Sequence, residues 1–61
     1  MTPRQNRFVD EYLVDLNATQ AAIRAGYTAR TANEQGARLL AKASVAASIA
    51  AAQKAVASAF S

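Results

Sequence analysis

The apolar residues among the first sixteen positions recur at the spacing of an amphipathic helix. Thr2, Pro3 and Gln5 form a helix start signal, in which a hydroxyl caps an amide, proline takes the first helical position and the glutamine reaches back. Apolar positions spaced one, three and four residues apart then form one stripe: Phe8, Val9, Tyr12, Leu13 and Leu16. The pattern predicts a first helix that begins at Pro3 and buries this stripe.

A second helix is predicted by the residues that bracket it. Asn17 to Gln20 repeats the start signal, so we expect Asn17 to end the first helix and cap a second one that runs to about Ala25. Gly26 can adopt the left-handed conformation that terminates a helix without a Cβ penalty. We therefore expect the second helix to stop there, with Tyr27 following as an apolar plug.

A third helix is predicted from Ala29 to about Ala41, with Thr28 as its cap. Its inner side collects small residues and leucines: Ala32, Gly36, Leu39 and Leu40. Its outer side collects the charged residues and two alanines: Arg30, Glu34, Ala37, Arg38 and Ala41. Because a mid-helix glycine costs about 1 kcal/mol relative to alanine, Gly36 predicts that another backbone packs closely against this helix.

The alanine- and serine-rich remainder of the chain predicts a fourth helix. Its apolar residues align in a narrow seam: Val45, Ile49, Ala52, Val56 and Phe60. The seam could complete the core, pack against copies of itself or lie on a membrane surface, although the last option needs a basic face and Lys54 is the only charge after Lys42. No β-hairpin signal occurs.

The second and third helices together resemble a helix-turn-helix over residues 17–41, in which a turn of three or four residues contains a glycine. Ala22 and Ala32 are small where the two helices would meet. We therefore predict an all-α fold, a small bundle of about four helices that contains a helix-turn-helix.

Composition narrows the classes of function. The 61 residues include no Cys and no His, which excludes disulfides, zinc fingers and imidazole chemistry. The four acidic residues are scattered and offer no paired general acid and base, so we expect no enzyme, no metal site and no cofactor. Without a membrane-spanning apolar run or a signal-peptide core, the chain is interpreted as soluble and cytoplasmic.

The net charge of +3 favours a polyanionic partner, and its distribution is uneven. From Met1 to Tyr27 the charges of three arginines are balanced by three acidic residues. From Thr28 onward there are four basic residues, and Glu34 is the only acidic one. The exposed start of the third helix offers groups suited to reading base edges in the major groove: Thr28, Ala29, Arg30, Asn33 and Glu34. Groups suited to phosphate contacts lie beside them: Thr31, Arg38 and Lys42.

Simpler interpretations compete with each of these assignments. Arg30, Glu34 and Arg38 are four residues apart and could form a ladder of solvated ion pairs. Asn33 could be ordinary solubilising surface, and the aromatic residues are expected in the core rather than as stacking platforms. Arg4 and Arg7 could touch a phosphate, but we favour the alternative that they offset nearby acidic residues.

Five sequence segments resemble the N-terminal DNA-binding domain of phage terminase small subunits, from Met1 to about Val45: Met1–Gln5, Arg7–Leu13, Asp15–Ala22, Arg24–Tyr27 and Gly36–Leu40. The resemblance implies a protein in the bacterial host cytoplasm that recognises a packaging-initiation site on double-stranded DNA. It further implies delivery of that DNA to a large ATPase and nuclease subunit, and assembly into a homo-oligomer. Residues 1–45 would then form the helix-turn-helix DNA-binding domain, and residues 46–61 a C-terminal helix that leads toward an oligomerisation region. The alternatives are the headpiece of a transposase or transcription regulator, and a helix-mediated protein-interaction module.

Overall fold

Four helices follow one another along the described part of the chain. The computed structural model describes the backbone of residues 1–60 and the side chains of residues 1–55. The helices are α1 (Pro3–Asp15), α2 (Ala18–Arg24), α3 (Ala32–Ala41) and α4 (Ala43–Phe60). No strand occurs over the described backbone. The predicted all-α class and the number of helices are confirmed.

Helix α1 begins and ends through local hydrogen bonds. The Gln5 N–H donates to Thr2 Oγ1 at 3.2 Å and the Thr2 N–H donates to Gln5 Oε1 at 3.1 Å, which confirms the predicted start at Pro3. At the other end Leu16 adopts a left-handed conformation with φ of 57°. Leu16 is 57% exposed, so its predicted place in the buried stripe is wrong. Because the backbone of Leu16 turns the chain out of α1, the Leu16 side chain lies away from the core.

The junction between α1 and α2 is held by an amide cap and a carboxylate. Asn17 Oδ1 accepts a hydrogen bond from the Gln20 N–H at 3.1 Å, as predicted for the cap of α2. Asp15 Oδ1 accepts from the Asn17 N–H, and Asp15 Oδ2 accepts from Arg24 Nη1, both at 3.1 Å. The bond from the Asn17 amide, assisted by the Arg24 guanidinium, lowers the pKa of Asp15 below its ordinary value.

Helix α2 ends in a Schellman motif. The Gly26 N–H donates to the Ile23 carbonyl at 3.1 Å, and the Tyr27 N–H donates to the Ala22 carbonyl at 3.0 Å. Gly26 has a φ of 105°, a conformation that residues with a Cβ rarely adopt. The predicted role of Gly26 is confirmed, and the motif fixes Tyr27 directly after the helix.

Helix α3 begins later than the sequence predicts. Thr28 does not cap a helix from Ala29, because its Oγ1 lies 2.7 Å from Thr31 Oγ1 and its carbonyl accepts from the Thr31 N–H in a turn. The helix starts at Ala32, so residues 25–31 connect α2 to α3. The predicted turn of three or four residues is therefore wrong, since the connection is seven residues long.

The core lies where the four helices meet. It consists of buried apolar side chains from every helix: Phe8, Val9, Ala21, Ala22, Ala32, Leu39, Val45 and Ile49. Helix α4 packs on α1 and α3, with Val45 and Ile49 in this core. The first half of the predicted seam thus completes the core, while Val56 and Phe60 lie outside the described side chains.

At Gly36 the backbones of α2 and α3 approach each other closely. A Cβ placed on Gly36 would lie 2.9 Å from the Ala18 carbonyl oxygen and 3.1 Å from the Ala18 Cβ. Real side chains almost never sit this close to a backbone oxygen, so only glycine fits without a shift of one helix. The close backbone approach predicted from Gly36 is confirmed.

Candidate nucleic-acid interface

Helix α3 has one side in the core and one side in solvent. Gly36 and Leu39 are buried, as is Ala32 in the first turn. The opposite side is exposed over its whole length and carries the residues predicted there: Glu34, Ala37, Arg38 and Ala41. The two-sided character predicted for this helix is confirmed, and α2 covers only its inner side.

The charged residues of α3 and of the connector before it form no ion pairs with other described side chains. The ion pairs among the described side chains are Arg7 with Glu11 and Arg24 with Asp15, each at 3.1 Å. The ladder interpretation of Arg30, Glu34 and Arg38 is therefore wrong for this part of the chain. One physical reason is the late helix start, which places Arg30 in the connector and off the helical register of Glu34.

The connector presents the first three predicted DNA-binding residues. Thr28 and Arg30 are exposed, as is Ala29 between them, whereas Thr31 is half-buried. Thr31 occupies the cap position of α3, yet its hydroxyl makes no cap hydrogen bond and is paired with the Thr28 hydroxyl. The exposed Arg30 guanidinium thus projects from a turn that is closed by the two threonines.

The other predicted DNA-binding residues lie at the two ends of α3. Asn33 is exposed in the first turn, where its Oδ1 accepts a weak hydrogen bond from Thr19 Oγ1 at 3.5 Å. Lys42 is exposed, and it is the residue with extended backbone that separates α3 from α4. The predicted residues therefore follow one stretch of chain from residue 28 to residue 42.

The aromatic residues of α1 belong to the core, as expected. Phe8 is fully buried and stacks on Tyr12 with a centroid separation of 5.9 Å and an angle of 23° between the rings. Tyr27 is half-buried against the core, and the Arg4 guanidinium lies over its ring, 5.3 Å from the centroid. The Arg4 contact was not predicted, because no sequence spacing links residues so far apart.

The two N-terminal arginines have different partners. Arg7 pairs with Glu11 one turn along α1, which confirms the favoured interpretation for that residue. Arg4 lies on Tyr27 and forms no ion pair within the described residues, so the same interpretation is wrong for Arg4. Its position close to Gly26, where its Nε would be 3.7 Å from an added Cβ, places it at the start of the connector.

The exposed groups of residues 28–42 are of types that can bind the bases and phosphates of a nucleic acid. A guanidinium can donate two hydrogen bonds to guanine, an asparagine can bond adenine, and a carboxylate can accept from cytosine. Lysine and arginine can also bind phosphate oxygens. Among the described side chains no three His, Cys, Asp or Glu residues are grouped to hold a metal, and no helix in the described residues is long and apolar enough to cross a membrane.

Known proteins resemble this chain along most of its length. A family model described as terminase small subunit matches residues 1–60. The terminase small subunits of Bacillus phage SF6 and Bacillus phage rho15 are each 46% identical to the chain over 50 residues, which covers 80% of the chain and 34% of each relative. That of Bacillus phage SPP1 is 54% identical over 33 residues, covering 52% of the chain and 22% of the relative. The chain thus spans about a third of the length of the first two relatives.

Proposed function

This chain belongs to the terminase small subunit family, and from that premise we propose that it binds duplex DNA during the packaging of a phage genome. It recognises the packaging-initiation site and delivers the DNA to the large subunit, whose ATPase and nuclease carry out the chemistry. The chain itself acts without catalysis. Its DNA-binding part is the helix-turn-helix formed by α2, the connector and α3.

One observation carries this proposal above all others. The outer side of α3 and the connector before it expose Arg30 and Arg38, neither of which is held by an acidic residue in the described part of the chain. An arginine that is already paired would have to exchange its carboxylate for a phosphate, which reduces the gain on binding. Exposed guanidinium groups that form no ion pair are suited to a polyanion.

The residues divide into two roles. Arg30, Asn33 and Glu34, with Thr28 beside them, face the base edges of the major groove and supply sequence preference. The remaining predicted residues grip phosphates and fix the position of the domain on the duplex: Thr31, Arg38 and Lys42. Asn33, Glu34 and Arg38 share one helix, which packs closely on α2 at Gly36.

A single domain of this kind binds weakly, and assembly of the full-length subunit as a homo-oligomer compensates for this. Nonspecific affinity for one copy is expected at about 10⁻⁴ to 10⁻⁶ M at physiological salt. Several copies that are held together present many such contacts in parallel and raise the avidity. The family membership favours this role over a transposase or regulator headpiece, and the large subunit should co-purify with the full-length protein.

The DNA-binding face is tested by measuring the affinity of labelled duplexes at several salt concentrations. Arg30→Ala should weaken binding and relax the preference at one base pair, whereas Lys42→Ala should weaken all sequences alike and make the salt dependence shallower by about one unit. Lys54→Ala is the matched control, since it removes one exposed positive charge from α4.

Two results would count against this face. If Arg30→Ala and Lys42→Ala bind no worse than Lys54→Ala, net charge alone explains the affinity and the assignment of residues 28–42 is wrong. If the unaltered protein ignores duplexes even at low salt, the DNA-binding function itself is wrong. Melting curves of all variants ensure that only folded proteins are compared.

A further inference from the structure

Arg4 is unusual among the arginines of the first half of the chain. Arg7 and Arg24 each donate to a carboxylate at 3.1 Å, whereas Arg4 has no such partner among the described residues and lies over the ring of Tyr27. Its charge is therefore not neutralised locally. Its guanidinium carbon lies 5.3 Å from the centroid of that ring.

The cation–π contact with Tyr27 positions Arg4. Tyr27 is itself fixed, because its N–H donates to the Ala22 carbonyl and its ring packs against the core. A cation–π contact uses the face of the aromatic ring, and Arg4 donates no hydrogen bond and forms no ion pair among the described residues, so its N–H donors stay available. Arg4 is thus held in a defined place with its donors available for a further partner.

The surroundings of Arg4 suit an anion. Thr2, Gln5, Arg7 and Tyr27 line an open groove together with Arg4, and none of the groove-lining residues is acidic. The groove includes Ala25 and Tyr27, the residues at which the connector toward Arg30 begins. An anion in this groove would therefore lie beside the same connector that carries the proposed DNA-binding residues.

We propose that Arg4, oriented by Tyr27, binds a backbone phosphate of the same DNA duplex that α3 reads. This inference rests on the proposed DNA-binding function and adds a contact from α1, outside residues 28–42. A planar guanidinium matches the geometry of a phosphate in a bidentate contact. The contact carries no sequence information but fixes the domain from a second side.

The test is the salt dependence of duplex binding by Arg4→Gln, Arg4→Lys and the unaltered protein. Loss of one phosphate contact makes the slope of log affinity against log salt shallower by about 0.9. Between 50 and 200 mM salt, the fall in affinity is then about threefold smaller than for the unaltered protein. Arg4→Gln should show this change equally on all sequences. Arg4→Lys retains the charge and should keep most of the slope, whereas a purely structural role for Arg4 predicts the full slope for both variants.

Two further variants separate the charge from its orientation. Tyr27→Leu retains apolar volume against the core but removes the aromatic ring, so it should keep the slope and lower the affinity about twofold, because the guanidinium is no longer held in place. Lys54→Gln is the matched control, since it removes one positive charge from α4 and should leave the slope within error of that of the unaltered protein.

The outcomes distinguish this inference from the function on which it rests. If Arg4→Gln keeps the full slope and affinity while Arg30→Ala loses affinity, the Arg4 contact is wrong and DNA binding through α3 stands. If Arg4→Gln and Lys54→Gln lower the slope equally, the effect is one of net charge and the Arg4 contact is again wrong. If no variant, including the unaltered protein, binds duplex at low salt, both proposals fail together.

Discussion

Replacing Gly36 with alanine should destabilise the molecule by up to about 2 kcal/mol, although the same exchange stabilises most exposed helix positions. Helix propensity alone favours alanine by about 1 kcal/mol. The added Cβ, however, would lie 2.9 Å from the Ala18 carbonyl oxygen, and forcing apart two packed backbones costs about 1–3 kcal/mol or more. The clash is with backbone rather than with a flexible side chain, so we expect it to outweigh the propensity gain.

Thermal unfolding followed by circular dichroism gives the sign of this effect. Ala37→Gly is the matched control, because Ala37 is the neighbouring residue on the exposed side of α3 and should lose only the propensity of about 1 kcal/mol. A Gly36→Ala variant that melts above the unaltered protein would show that α2 and α3 do not approach as closely as described. Such a result would also contradict the close packing of α3 on α2 at Gly36.

Replacing Phe8 with alanine should have the larger effect on stability. Phe8 is fully buried, and removing a buried phenylalanine side chain costs about 3–5 kcal/mol. A domain of this length has a total free energy of unfolding of roughly 3–9 kcal/mol. We therefore expect the midpoint of thermal unfolding to fall by roughly 15–30 °C, or the variant to be unfolded at room temperature.

Val14→Ala provides the comparison for Phe8, because Val14 lies on the same helix but is 72% exposed. Its loss should change the free energy of unfolding by no more than about 0.5 kcal/mol. Chemical denaturation of both variants measures these differences directly. Equal midpoints for Phe8→Ala and Val14→Ala would mean that α1 does not supply the centre of the core.

The parts of the fold that depend only on residues close together in the sequence could be predicted from it. The capping box at Thr2, the cap at Asn17 and the left-handed Gly26 are all local, and each appears in the structure as expected. Gly36 was informative for a different reason, because a costly residue in a helix points to a packing constraint. Periodicity alone then assigned the buried and exposed sides of α3.

Predictions failed where two local signals competed. Thr28 and Thr31 are both suitable caps, and the chain uses the later position because the two hydroxyls lie together in a turn. Leu16 fits the apolar stripe by spacing, but the residue that leaves a helix can adopt a left-handed conformation and lose its place in the core. In both cases the error concerns a helix end, where spacing rules no longer apply.

The exposed side of α3 could be predicted from the sequence, but the arrangement of the candidate residues in space could not. The exposed side of α3 follows from helical periodicity, whereas the place of Arg30 depends on where the helix begins. The contact between Arg4 and Tyr27 joins residues from α1 and the connector, so only the tertiary packing brings them together. The assignment of α2 and α3 as a helix-turn-helix, the division at residue 45 and the roles of the individual side chains are our proposals.

The central claim is that the open side of α3 and its connector form the surface that meets DNA. The most direct measurement is nuclear magnetic resonance of the ¹⁵N-labelled protein titrated with a short duplex. The largest amide shifts should fall between Thr28 and Lys42 and should fade as salt is raised. Shifts confined to other surfaces, or none at low ionic strength, would contradict the account.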